Sequence, residues 1–221
     1  MFMEGLLKTA KNFLVNGTAR QSYEEACYGL KQCVERLNPE ELHILEKDPY
    51  LDKSCISFVN VAECQSFAIS VFVIPTGLKL PLHDHIGMTV ITKVLWGELD
   101  VDSFDFVEKD KFVCHHMGGD GVQYPSFTMK AGDCHIFYPF KANLHEFKAR
   151  RRCAIVDFMW PPYNPAEDRD CHYFMSQPNS GFRRKDTEIS KVVYLQRIPC
   201  PSYFYTQEVL YRGPPFDLRY L

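Results

Sequence analysis

The chain has no excess of charge, no long apolar run and no paired cysteine motif, and each absence removes a class of function. Lysine and arginine (25) nearly balance aspartate and glutamate (28), for a net charge of −3. That balance offers no general attraction to nucleic acid or anionic membrane. The Arg150-Arg151-Arg152 run has no aromatic stacking platform beside it and reads as a solvated turn between strands. No stretch approaches the roughly 20 apolar residues of a membrane-spanning helix. The nine cysteines (Cys27, Cys33, Cys55, Cys64, Cys114, Cys134, Cys153, Cys171, Cys200) form neither a CxxC pair nor a zinc-ribbon pattern. With no secretory signal in view, reduced thiols in the cytoplasm are expected, with a nuclear address open. Glu4 argues against a mitochondrial presequence without excluding one. No repeat, low-complexity tract or linker divides residues 1–221, and no heptad calls for a partner, so a single-domain monomer is expected.

What is present is a change of period. Over residues 1–50, apolar positions at three- and four-residue spacings (Phe2, Leu6, Leu7, Phe13, Leu14, then Tyr23, Cys27, Leu30, Val34) predict helices. Asn38-Pro39-Glu40-Glu41 reads as a further helix start, with Asn38 as cap and Glu41 reaching back, ended by Asp48-Pro49. From about residue 64 the pattern turns to short strands: Ser66–Ile74, Thr89–Trp96, Glu98–Phe106, Tyr124–Met129, His135–Tyr138, Leu144–Lys148 and Cys153–Phe158. Gly118-Gly119-Asp120-Gly121 reads as a flexible hairpin tip, since no helix and no Lys-Ser/Thr follows it. After the proline-rich Trp160–Pro165 stretch and the basic Arg183-Arg184-Lys185, only Val192–Ile198 reads as a strand. The expectation is a mainly β barrel over 60–175, with a helical cap (1–50) packed outside and a C-terminal wrap (176–221).

The strongest chemical signal is Pro81-Leu-His83-Asp84-His85-Ile-Gly87-Met88-Thr89. On an extended chain alternate side chains share a face, so His83 and His85 converge while Asp84 points away. His145 arrives about sixty residues later on another strand, as when an antiparallel barrel returns to its interior. The trio points to iron inside a small β-barrel. The other histidines read as ordinary: His43 on a helix, His135 in the core or pocket, and His172 alternating away from its neighbours. His115 and His116, adjacent on a strand, would face opposite ways. Asp84 is read as an outward turn or a group behind the ligands. Cys134 and Cys153 are expected as small buried hydrophobes.

Gly77, His83-x-His85 and Gly97 are similar to the first motif of the cupin superfamily, whose barrel is a double-stranded β-helix (jelly roll). That motif usually holds a glutamate ligand four or five residues after the second histidine; here those positions are Thr89 and Val90. Without the carboxylate, three imidazoles leave about three open positions on a six-coordinate metal, a face that suits a substrate thiolate. The second motif, with Gly132, Pro139 and His145, is looser. From about residue 25 to 215 the chain resembles the cysteamine dioxygenase and plant cysteine oxidase family of thiol dioxygenases. The segments that carry this are Pro81–Thr89, Gly97 with Ser103-Phe-Asp105, Asn143-Leu-His145, and Asp157 with Pro161-Pro-Tyr163 and Asp170-Cys-His-Tyr173.

The resemblance implies Fe(II) on His83, His85 and His145, with O2 and a thiol as substrates and a sulfinic acid as product. The thiol is cysteamine, or the N-terminal cysteine of a peptide or protein; in the latter case the enzyme is an oxygen sensor. Asp157 then either hydrogen-bonds a metal-ligating imidazole or binds the substrate ammonium, and Tyr163 is a pocket hydroxyl. Cys171 and Tyr173 match a pair proposed to form a Cys–Tyr thioether in the animal branch; the other reading is two ordinary side chains on a strand. Oxidation of free cysteine would instead need an arginine for the carboxylate, and a non-catalytic cupin module would take up no O2.

Overall fold

The computed structural model describes residues 23–51, 54–107, 111–178 and 191–215. The expected helices at Phe2–Leu14 and the Arg183-Arg184-Lys185 run lie outside them. One helix, α1 (Tyr23–Val34), precedes β1 (Ile56–Glu63), β2 (Ala68–Ile74), β3 (Lys79–His83) and β4 (Thr89–Phe106). A short helix, α2 (Lys111–Met117), leads to β5 (Gly119–Gln123), β6 (Phe127–Lys130), β7 (Cys134–Phe137) and β8 (Leu144–Trp160). The described chain ends with β9 (Tyr173–Pro178), β10 (Lys191–Ile198) and β11 (Thr206–Glu208).

The sheet closes on itself. Strands run in the order β8-β3-β9-β10-β5-β4, and β4 pairs back to β8, which makes a six-stranded barrel. β2, β1 and β11 continue outward from β8, while β6 and β7 pair with β4. The mainly β barrel expected from the sequence is therefore present, with α1 packed outside on β4 and β7.

Two of the expected strand boundaries are wrong for one shared reason. Thr89–Trp96 and Glu98–Phe106 are a single strand, as are Leu144–Lys148 and Cys153–Phe158. Gly97 does not stop β4; it lets it bulge. Its φ is +86°, and a Cβ there would lie 2.2 Å from the Arg152 carbonyl oxygen, so only glycine permits β4 and β8 to stay in contact across the irregular register. The three arginines accordingly sit within β8 rather than on a turn. Arg150 pairs with Asp100 at 2.6 Å, and the Arg152 guanidinium lies 5.1 Å from the centre of the Trp96 ring.

Other departures are local. Asn38 does accept a bond from the Glu41 amide at 2.8 Å, but only turns follow instead of a helix. His43 leaves that turn with φ of 51°, and the next carbonyl, of Ile44, accepts the Trp96 indole N–H at 2.8 Å. The glycine segment after Met117 is not a flexible tip: Gly119–Gln123 is β5, clamped between β4 and β10. The expected strand Tyr124–Met129 shrinks to β6, and β1, β3, β9 and β11 are strands the sequence did not announce.

Strand alternation places the site. Along β8, Ala154, Val156 and Phe158 pack outward with α1, β1 and β2, whereas Cys153, Ile155 and Met159 join the core inside the barrel. Asp157 falls on that inner face. Just past α1, buried Lys93 of β4 donates to the carbonyls of Glu35 and Leu37, both at 2.5 Å, and so satisfies groups at the C-terminal end of the helix.

Candidate metal centre

His83 on β3 lies directly opposite His145 on β8, and His85 follows two residues after β3 ends. The His85 Nε2 is 3.1 Å from that of His83 and 3.2 Å from that of His145. The His83 Nδ1–H donates to the Pro81 carbonyl at 2.8 Å, which leaves its Nε2 as a lone pair. Burial lowers the affinity of all three rings for a proton, most for His85 and His145, where neighbouring imidazoles add to the effect. Three neutral rings thus aim lone pairs at one point. Nitrogens about 2.1 Å from a common ion lie ~3.0 Å apart at right angles and ~3.4 Å apart at tetrahedral angles. Both distances from His85 fall between these and the three ligand nitrogens all lie within 4.8 Å of one another, so the cluster could hold a divalent cation. Among the described residues no carboxylate joins the cluster. Val90 is buried in the core, and Thr89 is engaged by the Tyr23 hydroxyl.

Loop and strand residues fix the ligands in place. Asn143 clasps His85 twice, accepting from its amide at 3.1 Å and donating to its carbonyl at 2.6 Å. Asp105 in turn holds the backbone amides of Ala142 (2.8 Å) and Asn143 (3.2 Å). His145, two residues on, is packed against Phe137 and Phe147, with ring centres at 4.2 and 4.7 Å.

Asp84 is not an outward group. It is wholly buried, its Oδ2 accepts from His115 Nδ1 at 2.7 Å and His172 Nδ1 at 3.1 Å, and its Oδ1 accepts the His172 amide at 2.8 Å. Burial works to raise its carboxyl, but the bonds from His115 and His172 outweigh it and hold the group below the usual carboxylate range. His115 is reached because Lys111–Met117 is a helix, where the sequence suggested a strand. His135 packs, half-buried, against Phe127 and Phe137.

Asp157 hydrogen-bonds Thr92 Oγ1 at 2.5 Å, and no bond joins it to the three imidazoles. Burial pushes its carboxyl up to about 7, against a smaller opposing effect of Thr92. The Tyr163 hydroxyl donates to the Asp84 carbonyl at 2.7 Å and lies 3.4 Å from His85 Nε2, with its ring stacked on that imidazole. Cys171 is hydrogen-bonded to both Tyr163 and Tyr173, and burial pushes its thiol up to about 12. A cavity of about 330 Å³ brings His83, His85, Asp157, Tyr163, Cys171 and Tyr173 onto one wall system. The sequence had singled out all six, together with His145 behind them. It had passed over His115, His172, Asn143 and Thr92; an acid between two ligands and an amide two residues before the third were the available signals.

A β-barrel holding a three-histidine face beside a buried acid fits a metal-binding protein. The chain belongs to the PCO_ADO family, which matches residues 31–216. It is 27% identical over 232 residues to plant cysteine oxidase 1 of Arabidopsis thaliana, covering 96% of this chain and 79% of that protein. It is 25% identical to the 2-aminoethanethiol dioxygenase of Homo sapiens over 84% of this chain and 79% of that protein. Among solved structures, an RmlC-like cupin protein from Desulfovibrio desulfuricans overlaps 53% of this chain and 93% of its own, at 18% identity and a TM-score of 0.39.

Proposed function

We propose that this chain is a non-haem Fe(II) thiol dioxygenase. Its substrates carry a free amine two carbons from a thiol: the N-terminal cysteine of peptides and proteins, and cysteamine. Both atoms of O2 end on sulfur, giving Cys-sulfinate or hypotaurine. The observation that carries the reading is the three-imidazole face without a carboxylate, opening on a cavity that also holds Asp157, in a member of the PCO_ADO family. When bound, Fe(II) supplies neighbouring positions on which thiolate and dioxygen meet.

The chain's own residues supply orientation and exclusion of water. Asp157 suits the substrate ammonium: its one hydrogen-bond partner, Thr92, is neutral, and a cation beside it favours the carboxylate form. Tyr163 directs a hydroxyl toward the atoms His85 faces. Phe58, Phe72, Met159 and Phe204 give the cavity apolar wall that limits water around the thiol, while Asn60, Glu63, Ser70 and Thr206 add polar groups to the remaining lining. A volume of about 330 Å³ exceeds what an amine as small as cysteamine fills, which favours a peptide N-terminus. Among the described residues lining the cavity there is no arginine or lysine to receive the carboxylate of free cysteine. On this reading the enzyme is an oxygen sensor for an N-degron route, acting in the cytoplasm, where its free thiols stay reduced.

The test is to load the protein anaerobically with Fe(II), admit O2, and follow cysteamine, free cysteine and a cysteine-initiated peptide by oxygen consumption and mass spectrometry. Gain of two oxygen atoms on the peptide is the expected result. No uptake by iron-replete protein with any thiol would leave a metal-binding module.

A further inference from the structure

Strands β9 and β10 pair in constant register from Val193 opposite Pro178 to Ile198 opposite Tyr173. Two residues past Ile198 comes Cys200, and two residues before Tyr173 comes Cys171. Continuing the register therefore sets the two cysteines opposite each other, on the face shared by Tyr173 and Ile198. Side chains agree with the backbone: the Tyr173 hydroxyl is hydrogen-bonded to both the Cys171 and the Cys200 thiols. Cys171 and Tyr173 line the cavity, whereas Cys200 is exposed and lies outside its lining. The ladder itself ends at the Tyr173–Ile198 pair, so it is the Tyr173 hydroxyl shared by Cys171 and Cys200 that brings the two thiols to one place just beyond it.

We propose that Cys171 and Cys200 are a redox pair that closes to a reversible disulfide at the rim of the cavity, by exchange with an oxidised small-molecule disulfide such as glutathione disulfide. The Cys200 thiolate attacks one glutathione sulfur and expels the first glutathione; Cys171, giving its proton to water, then attacks Cys200 and expels the second. Two protein thiols are oxidised and one glutathione disulfide is reduced to two thiols, so electrons and atoms balance. Cys171 is half-buried and Cys200 exposed, so the external disulfide meets Cys200 first.

Two consequences follow from the placement. The disulfide uses the sulfur that a Cys171–Tyr173 thioether needs, so the two cross-links exclude each other. It also ties the start of β9 to the segment leading to Phe204, a wall of the cavity. Neither depends on the dioxygenase reading.

Both cross-links remove two hydrogen atoms, so reduction rather than mass separates them. The full chain is incubated without O2 in glutathione disulfide, and intact mass and proteolytic peptides are read before and after a phosphine reductant. The expected result is a loss of two hydrogens that the reductant reverses, and a peptide joining Cys171 to Cys200. Cys200→Ser should lack this species, and Tyr173→Phe should retain it. Cys200 recovered only as a mixed disulfide with glutathione, or a cross-link the reductant leaves intact, would overturn the proposal.

Discussion

Asp84 and Asp157 are both 5% exposed or less and both adjoin the three-histidine face, yet their surroundings drive them in opposite directions. Asp84 lies behind the ligands and receives two imidazole nitrogens and a backbone amide, which hold it ionised. Asp157 lies on the cavity side, has one neutral hydroxyl for company, and is pushed up to about 7. The histidines divide the same way. His83, His85 and His145 turn lone pairs to a common point, whereas His115 and His172 turn Nδ1 to a carboxylate. One alternating tripeptide, His83-Asp84-His85, serves both groups, because neighbours on an extended chain face opposite ways. A buried acid with donors is a support; a buried acid left short of donors is poised to bind a cation or a proton.

Removing a ligand should break this comparison most severely. His145→Ala is expected to lower turnover and metal affinity by more than the roughly 10–100-fold typical of an outer partner. Metal affinity is read by chelator competition and turnover by oxygen consumption; an active His145→Ala protein would remove His145 from the ligand set. Asp84→Asn should come next, at about 10–100-fold in metal affinity, since the amide cannot accept from His115, His172 and the His172 backbone together. Unchanged affinity would reduce the cluster to packing.

Asp157→Asn sharpens the contrast between the two acids. Turnover should fall more than iron content does; equal loss of both would make Asp157 a support like Asp84. In the metal-free protein the sign of the pH effect follows from linkage. The carboxyl titrates near 3.8 when unfolded and near 7 when folded, so between these values the folded state holds the proton more tightly. Its contribution is full below the lower value and is lost as pH rises through the upper one. Denaturation of wild type and Asp157→Asn at a series of pH values should show the variant gaining relative stability across that window and none above it. A difference that is flat with pH would contradict the raised carboxyl.

How much of this was legible beforehand depended on range. The ligand trio could be read because two of its members obey a period of two within three residues, and the third arrives about sixty residues later on a strand-like segment, as when an antiparallel barrel returns to its interior. Gly97 misled, since a glycine flanked by two apolar runs reads as a break, while its role is a bulge dictated by the Arg152 carbonyl across the sheet. His115 was hidden for the same kind of reason: its partner Asp84 is 31 residues away, and nothing local in Lys111–Met117 announces a helix that delivers it. At Asn38 the cap was legible, but turns follow in place of a helix: His43 takes a φ of 51° and the Ile44 carbonyl turns to Trp96, a residue of β4.

Tyr163 is the side chain that touches both sides of the comparison, and its hydroxyl should give the smallest effect. It donates to the backbone of Asp84 and stacks on His85, so Tyr163→Phe keeps the stack and deletes the hydroxyl's bonds to the Asp84 carbonyl and to Cys171. Loss of the bond to Asp84 should cost about 1 kcal/mol in stability, because its carbonyl is left without that donor. Metal affinity should shift only a few-fold, since His83 is held by Pro81 and His85 by Asn143 independently of the hydroxyl. If turnover nevertheless falls well beyond the change in metal affinity, the hydroxyl acts in the cavity, beside the substrate. Parallel changes in stability, metal affinity and turnover would instead assign Tyr163 to the same supporting role as Asp84.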